Sequence, residues 1–341
     1  MPRKTQQNKI TTPELLAQIN PENQQLLDDF VSYMKSVQRS EQTIEGYVSD
    51  LSIFFVWLLQ KANNKFFVNI TKRDIIIAFQ GYLVNTLKHS PARIRRLKSS
   101  LSSLSNYIEA VCDDSYPQFR NIINKVENPP NEAVREKTVL CDEQLEELLQ
   151  YLSESGKHQQ ACLLALGMQS GARKSELVRF KPSFFKEENV IFGSLYKTPK
   201  IKTKGRAGGK YVPKFVFKSG FQPYFDAWMK QREELGIDSE WLFVKRDESG
   251  YSQLNADTLN SWAISFGNHL GVDFYFHCLR HYWTTMCSKK GLPTTVIKDL
   301  QSWQSETMVS IYNDTSEEET FSKYFDENGI KSVEQATLSS L

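Results

Sequence analysis

The sequence predicts a mainly α-helical protein of two domains, carrying one small antiparallel β-sheet. Apolar residues recur at helical spacing through most of the chain, as in Ile44, Tyr47, Val48, Leu51, Phe54, Phe55 and Leu58, and that period places them on one helix face. The stretch Glu127–Lys137, ENPPNEAVREK, is polar, proline-bearing and poor in core residues, which is the composition of a domain boundary. Short β-type runs collect between 189 and 217, interrupted by Gly205, Gly208 and Gly209 as turn material. A length of 341 residues exceeds what one typical core organises, in keeping with two domains.

Taken in order, residues 1–21 read as a polar extension ending in a short helix. Thr12-Pro13 and Asn20-Pro21 each place a capping side chain before a proline at the first helical position. Helices are expected over about 21–37 and from Ser40 onward. Thr71 and Asp74 cap another, with Ile75, Ile76, Phe79, Tyr82 and Leu83 on its buried side. Ser90-Pro91 opens a fourth whose first two turns are basic. These helices make a bundle over 22–126, and 127–138 is the linker. Beyond it, helices are expected over 142–154 and 156–170, with Gly171 ending the second and Arg173 starting a short one. Strands follow over 189–196, 199–204 and 211–217. Helices resume near 220–235, 256–270, 277–290, 293–301 and 305–312, and 316–341 forms a tail that starts with an acidic helix.

Composition excludes several classes. No apolar run approaches the roughly 18–20 residues of a membrane span, and MPRKTQQNKITT lacks the apolar centre of a secretory signal, so a cytoplasmic location is expected. The five cysteines, Cys112, Cys141, Cys162, Cys278 and Cys287, are scattered and form no C-x-x-C pair, so neither a disulfide framework nor a zinc site is indicated. No glycine-rich cradle suggests a nucleotide cofactor. The net charge of +2 conceals a strong segregation: Lys197 to Lys218 holds eight basic residues and no acid, and Lys88 to Lys98 holds five and no acid. Local basic stripes of this kind meet phosphate backbones. Arg93, Arg95, Arg96, Lys98, Lys200, Lys202, Arg206 and Lys210 are therefore candidate phosphate contacts.

The chemistry concentrates in 276–312, where His277 and Arg280 stand three apart on one helix face, followed by Trp303 and Tyr312. A second guanidinium is needed to bracket a phosphodiester, and Gly171-Ala172-Arg173-Lys174-Ser175-Glu176-Leu177 supplies one. His277 and His281 at i, i+4 could form a metal pair, but Cys278-Leu279-Arg280 between them offers no carboxylate and places a cation beside the site.

With these residues in this order, the chain resembles the tyrosine site-specific recombinases, the phage and transposon integrase family that includes Xer and Cre, over roughly residues 22–315. The resemblance implies a two-domain architecture, a helical core-binding domain over 22–126 and an α+β catalytic domain over 139–315. It implies a DNA recombinase or integrase of a bacterial, phage or other mobile element, working without metal, ATP or another cofactor as a homotetramer on short inverted core sites. An accessory excision or DNA-bending protein is left open. In the implied chemistry Tyr312 attacks the phosphorus and forms a 3′-phosphotyrosyl link, because a covalent intermediate conserves the phosphodiester energy. Arg173 and Arg280 hold the non-bridging oxygens, and His277 serves as proton acceptor or hydrogen-bond donor. Glu176 orients the arginine or histidine, and a hairpin lysine, Lys204 or alternatively Lys202, protonates the leaving oxygen. The commoner family pattern has histidine in an L-G-H segment where this chain reads Leu300-Gln301-Ser302-Trp303. Indole N–H can only donate, so Trp303 is expected to bind a phosphate oxygen, as in the Cre-like minority. Phe321, Tyr324 and Phe325 suggest that the tail helix docks into a neighbouring protomer. A type IB topoisomerase-like enzyme and a catalytically silent DNA-binding regulator are the alternatives.

Overall fold

The structure, a computed structural model, describes residues 10–130, 137–203, 209–248, 250–327 and 329–330. The chain divides into two compact units, the C-terminal one beginning at Lys137.

The N-terminal unit is helical. Helix α1 (Pro13–Leu16) is capped by Thr12, α2 (Pro21–Ser36) by Asn20 and α3 (Glu41–Lys61) by Ser40, each side-chain oxygen accepting an orphan backbone N–H of the first turn. The segment 74–86 is helical with the wider i→i+5 winding. Its start is tied reciprocally, since Thr71 N–H donates to Asp74 Oδ2 at 2.7 Å and Asp74 N–H to Thr71 Oγ1 at 3.3 Å. Helix α4 (Pro91–Val111) starts at Pro91 behind the Ser90 cap. Residues Leu51 to Leu58 of α3 are buried on every face, so α3 is the axis of this unit. Phe54 stacks on Trp57 at 5.6 Å and meets Phe79 edge-on at 4.8 Å.

In the C-terminal unit, α5 (Asp142–Glu154) packs on α6 (His158–Ser170), whose residues Ala161 to Met168 are all buried. Helix α6 ends at Gly171 with φ 56°, and the short α7 (Lys174–Leu177) follows. The run expected as one strand over 189–196 is instead a tight hairpin of β1 (Val190–Ile191) and β2 (Leu195–Lys197). The turn is made at Phe192 (φ 53°) and Gly193 (φ 70°). Strands β3 (Ile201–Thr203) and β4 (Lys210–Val212) form a separate antiparallel ribbon, while β5 (Phe215–Phe217) pairs with β2, aligning Phe217 with Leu195. Helix α8 (Lys218–Glu234) continues from β5, and the hairpin of β6 (Val244–Asp247) and β7 (Gly250–Gln253) lies in a stretch where no strand was expected. Helix α9 (Thr258–Leu270) then leads to α10 (His277–Lys289), α11 (Thr294–Leu300), α12 (Thr307–Tyr312) and α13 (Glu317–Tyr324), with β8 (Phe325–Asp326) and β9 (Gly329–Ile330) beyond.

A distinct apolar cluster joins Leu195 and Phe217 of the sheet to Trp283 and Cys287 of α10, Ile297 of α11, Trp303, and Val309 and Tyr312 of α12. Phe217 stacks on Trp283 at 5.9 Å. Helices α11 and α12 are short, and this cluster holds them against α10.

Candidate active site

Helix α10 supplies the floor of the site. Arg280, one turn into it, is fully buried, and its Nη1 donates to Gly171 O at 2.9 Å. That bond ties α10 to the turn that ends α6. A side chain at Gly171 would collide there, because a Cβ would stand 2.6 Å from Gln301 Nε2 and 3.1 Å from the Trp283 ring. Gln301 is itself fixed, donating to Ser170 O at 2.7 Å.

Arg173, two residues past that turn, is the N-cap of α7 and is braced by Glu176. Its backbone N–H donates to Glu176 Oε2 at 2.9 Å and its Nη1 to Glu176 Oε1 at 3.0 Å. Glu176 is fully buried and also pairs with Lys214, whose Nζ lies 2.7 Å from Oε2 and which is only 1% exposed. Burial alone would raise the Glu176 carboxyl, but Lys214 and Arg173 outweigh it and hold it below the usual range. Lys214 is depressed, by burial first, with Arg280 and Arg173 opposing the help of Glu176. The pair therefore favours the charged form of the carboxylate more than that of the lysine, because Lys214 also faces two guanidinium groups.

Tyr312 closes the cluster as the last residue of α12. Its ring stacks on Trp303 at 5.1 Å and meets His277 and His281 edge-on at 5.3 and 4.8 Å. The Arg280 guanidinium lies 4.8 Å from the Trp303 ring centre and 5.2 Å from that of Tyr312. Burial and then Arg173 push Arg280 down to about 10, with Glu176 and Tyr312 acting against this, so it stays a cation at neutral pH. Surrounding protein, then His281, Arg280, Arg173 and Lys137, push His277 down to about 4. The residue is nonetheless exposed, so solvent screens part of the contribution that burial and the neighbouring cations make to that shift. A neutral imidazole next to a tyrosine can accept a proton.

Arg280 Nε and Nη2 and Trp303 Nε1 are buried and make no hydrogen bond of good geometry among the described residues, the Tyr312 side chain being the neighbour that comes nearest to serving Arg280. Buried donors are ordinarily satisfied, and a cluster of unsatisfied ones is the mark of a site built for an acceptor-rich ligand.

The structure thus brings Arg173, Glu176, His277, Arg280, Trp303 and Tyr312 into one unit. Lys204 and Arg206 lie outside the described residues. Lys202 is exposed on β3, its carbonyl accepting from Arg179 Nη1 at 2.5 Å, and Lys200 precedes the strand, also exposed. Lys210 on β4 donates to Ser302 O at 3.4 Å, next to Trp303.

The expected contacts on α4 have other duties. Arg93 and Arg96 both engage the buried Asp50, at 2.7 and 3.1 Å, and Arg95 Nη2 donates to Pro129 O at 2.7 Å. Lys98 is turned inward: at 4% exposure, its ammonium donates to Gln80 Oε1 and to the carbonyls of Val126 and Glu127 at 3.0, 3.0 and 2.8 Å. Reading Lys98 as a surface cation is corrected by its position on the apolar stripe of α4, between Leu97 and Leu101. Burial depresses it to about 8. Sequence reasoning missed Lys214, which hides among eight basic residues, and Asp314, which no local pattern singles out.

A model of the phage integrase family matches residues 138–319, and the one described as phage integrase, N-terminal SAM-like domain, matches residues 26–118. The SPbeta prophage-derived recombinase-like protein YomM of Bacillus subtilis (strain 168) is 27% identical over 258 residues, covering 75% of this chain and 74% of that one. Tyrosine recombinase XerC of Caldanaerobacter subterraneus subsp. tengcongensis is 24% identical over 305 residues, covering 84% and 80%. Among solved structures, the XerH site-specific recombinase bound to palindromic difH substrate, a post-cleavage complex, superposes with a TM-score of 0.61 at 18% identity, covering 82% of this chain and 78% of that one. A lambda integrase tetramer bound to a Holliday junction gives 0.62 at 16% identity, covering 85% and 77%. At such identities the structures speak for the two-domain fold alone. The family match at 138–319, more than half of the chain, does more: this protein belongs to the phage integrase family.

Proposed function

We propose that this protein is a site-specific DNA recombinase or integrase that cuts and rejoins strands through a 3′-phosphotyrosine, in the integration or excision of a mobile element. The observation that carries the reading is the set of buried, unsatisfied donors on Arg280 and Trp303 beside the Tyr312 ring. A phosphodiester offers two anionic oxygens to such donors, and Arg173 brings a second planar fork. The P–Oη bond to Tyr312 forms as the P–O5′ bond breaks. The phenolic proton passes to neutral His277, and the departing 5′-oxygen takes a proton from a hairpin lysine, Lys204 or alternatively Lys202. No step in this scheme calls on a metal or ATP.

The partner is double-stranded DNA with short inverted core sites, gripped by residues 22–126 and by 139–315 across the linker 127–138, in a homotetramer. The DNA-bound XerH and the lambda integrase tetramer among the structural neighbours support this. Exposed Phe321, Tyr324 and Phe325 on and after α13 support docking of the tail in a neighbouring protomer.

Covalent trapping tests the reading. Wild type and Tyr312→Phe are mixed with nicked fragments spanning the ends of the encoding element, in EDTA and without ATP, and denatured in SDS. A DNA adduct formed by wild type and absent from Tyr312→Phe is expected. Specific binding with no adduct on any fragment would overturn the enzymatic reading in favour of a silent DNA-binding protein.

A further inference from the structure

The backbone that carries Tyr312 is fastened by side chains that the chemistry above does not use. Asp314, two residues beyond Tyr312, is 8% exposed at its side chain. Its Oδ1 receives Lys137 Nζ, and its Oδ2 lies 3.3 Å from His281 Nδ1. Its backbone N–H donates to Thr285 Oγ1 at 2.8 Å, and the same hydroxyl donates to Tyr312 O at 3.5 Å. Lys137 also donates to Ile311 O at 3.3 Å. Residues 311, 312 and 314 are thus held by three side chains, from two places on α10 and from the residue at which the C-terminal unit begins.

Helix α12 has six residues. A helix that short does not hold itself in water, and its terminal carbonyls have no partners within the helix. The placement of the Tyr312 hydroxyl therefore depends on what fixes its C-terminal end. We infer that Asp314 is a positioning residue for Tyr312, acting through His281, Thr285 and Lys137, so that the last residues of the linker set the register of the nucleophile. A plain stabilising ion pair would have no reason to converge on backbone flanking one tyrosine. This inference rests on the recombinase reading only where rates are concerned.

A misplacement of about 1 Å can cost about 100-fold in rate. In single-turnover cleavage of a nicked site, Asp314→Ala is expected to be about 10- to 100-fold slower, with DNA affinity within about 3-fold of wild type. Asp314→Asn, of equal size, should show a smaller loss, and Asp314→Glu should recover part of the rate. Lys137→Met should slow cleavage while Lys137→Arg retains it. Independently of activity, hydrogen exchange of amides 309–315 should quicken by about 10-fold or more in Asp314→Ala, with exchange of the α6 core unchanged. Wild-type cleavage and exchange in both Asp314→Ala and Asp314→Asn would overturn the inference. So would losses of binding and melting temperature that account for the whole loss of cleavage. Absence of any adduct with wild type sinks the recombinase reading instead, and the exchange measurement still decides the role of Asp314.

Discussion

Glu176→Gln isolates the buried charge that braces Arg173. The substitution keeps volume and one acceptor but removes the negative charge facing Lys214, which is 1% exposed and already disfavoured as a cation by Arg173 and Arg280. Removing one partner of a buried pair typically costs about 3–5 kcal/mol, because the other charge is left uncompensated. In a folding unit of about 200 residues each kcal/mol moves the melting temperature by about 2–4 °C, so a fall of roughly 6–20 °C is expected. The informative comparison is Glu176→Gln with Lys214→Met, where the ammonium is removed together with the carboxylate, so the net charge facing Arg173 and Arg280 is unchanged and replacement by apolar groups is often neutral. Melting should return to within a few degrees of wild type, while cleavage stays low because Arg173 has lost its ion-pair brace. Calorimetry and single-turnover adduct formation on the four proteins of the cycle measure the two effects separately. Full recovery of cleavage in the double variant would refute the bracing role of Glu176. A single variant that melts like wild type would refute the stranded-charge argument.

Gly171→Ala places a Cβ 2.6 Å from the fixed Gln301 amide at a φ of 56°; overpacking and left-handed strain together should cost about 2–4 kcal/mol, measured by denaturant unfolding. His277 has a folded value near 4 against an ordinary 6.5, so the unfolded state takes up its proton first. Stability should therefore be lost as pH falls through 6.5 towards 4, and should be unaffected by this group above 7. Thermal melts of wild type and His277→Asn should diverge over that window, wild type falling faster, and parallel curves would contradict the assignment.

The proposed reacting groups were legible in the sequence because their spacing is local. His277 and Arg280 share a helix face by spacing alone, Arg173 and Glu176 sit three apart across a cap, and Tyr312 ends an apolar helix. What brings these segments together is not local. Lys214 reaches Glu176 across 38 positions, and Asp314 reaches Lys137 across 177; neither partnership has a period or motif to betray it. On α4 the charges were legible but their direction was not. Asp50 sits within the apolar phase of α3 and draws Arg93 and Arg96 to itself, and the phase that buries Leu97 and Leu101 also buries Lys98. The β6–β7 hairpin escaped because Lys245, Arg246 and Asp247 are charged and exposed on both faces of the strand, and leave only Val244 as a buried strand residue.

The pairing of Lys214 with Glu176 also fixes an electrostatic balance. Those two charges cancel and His277 is neutral, so among the described residues of the cluster Arg173 and Arg280 carry the positive charge. A phosphodiester carries one negative charge and its five-coordinate transition state carries two. On the proposed reading the proton that Tyr312 gives up adds a positive charge at His277 as the phosphorus becomes dianionic, so the attraction grows on both sides and is binding realised only as the reaction proceeds. Without the carboxylate the surplus would shift towards the ground state, and DNA would be held more tightly and cut more slowly.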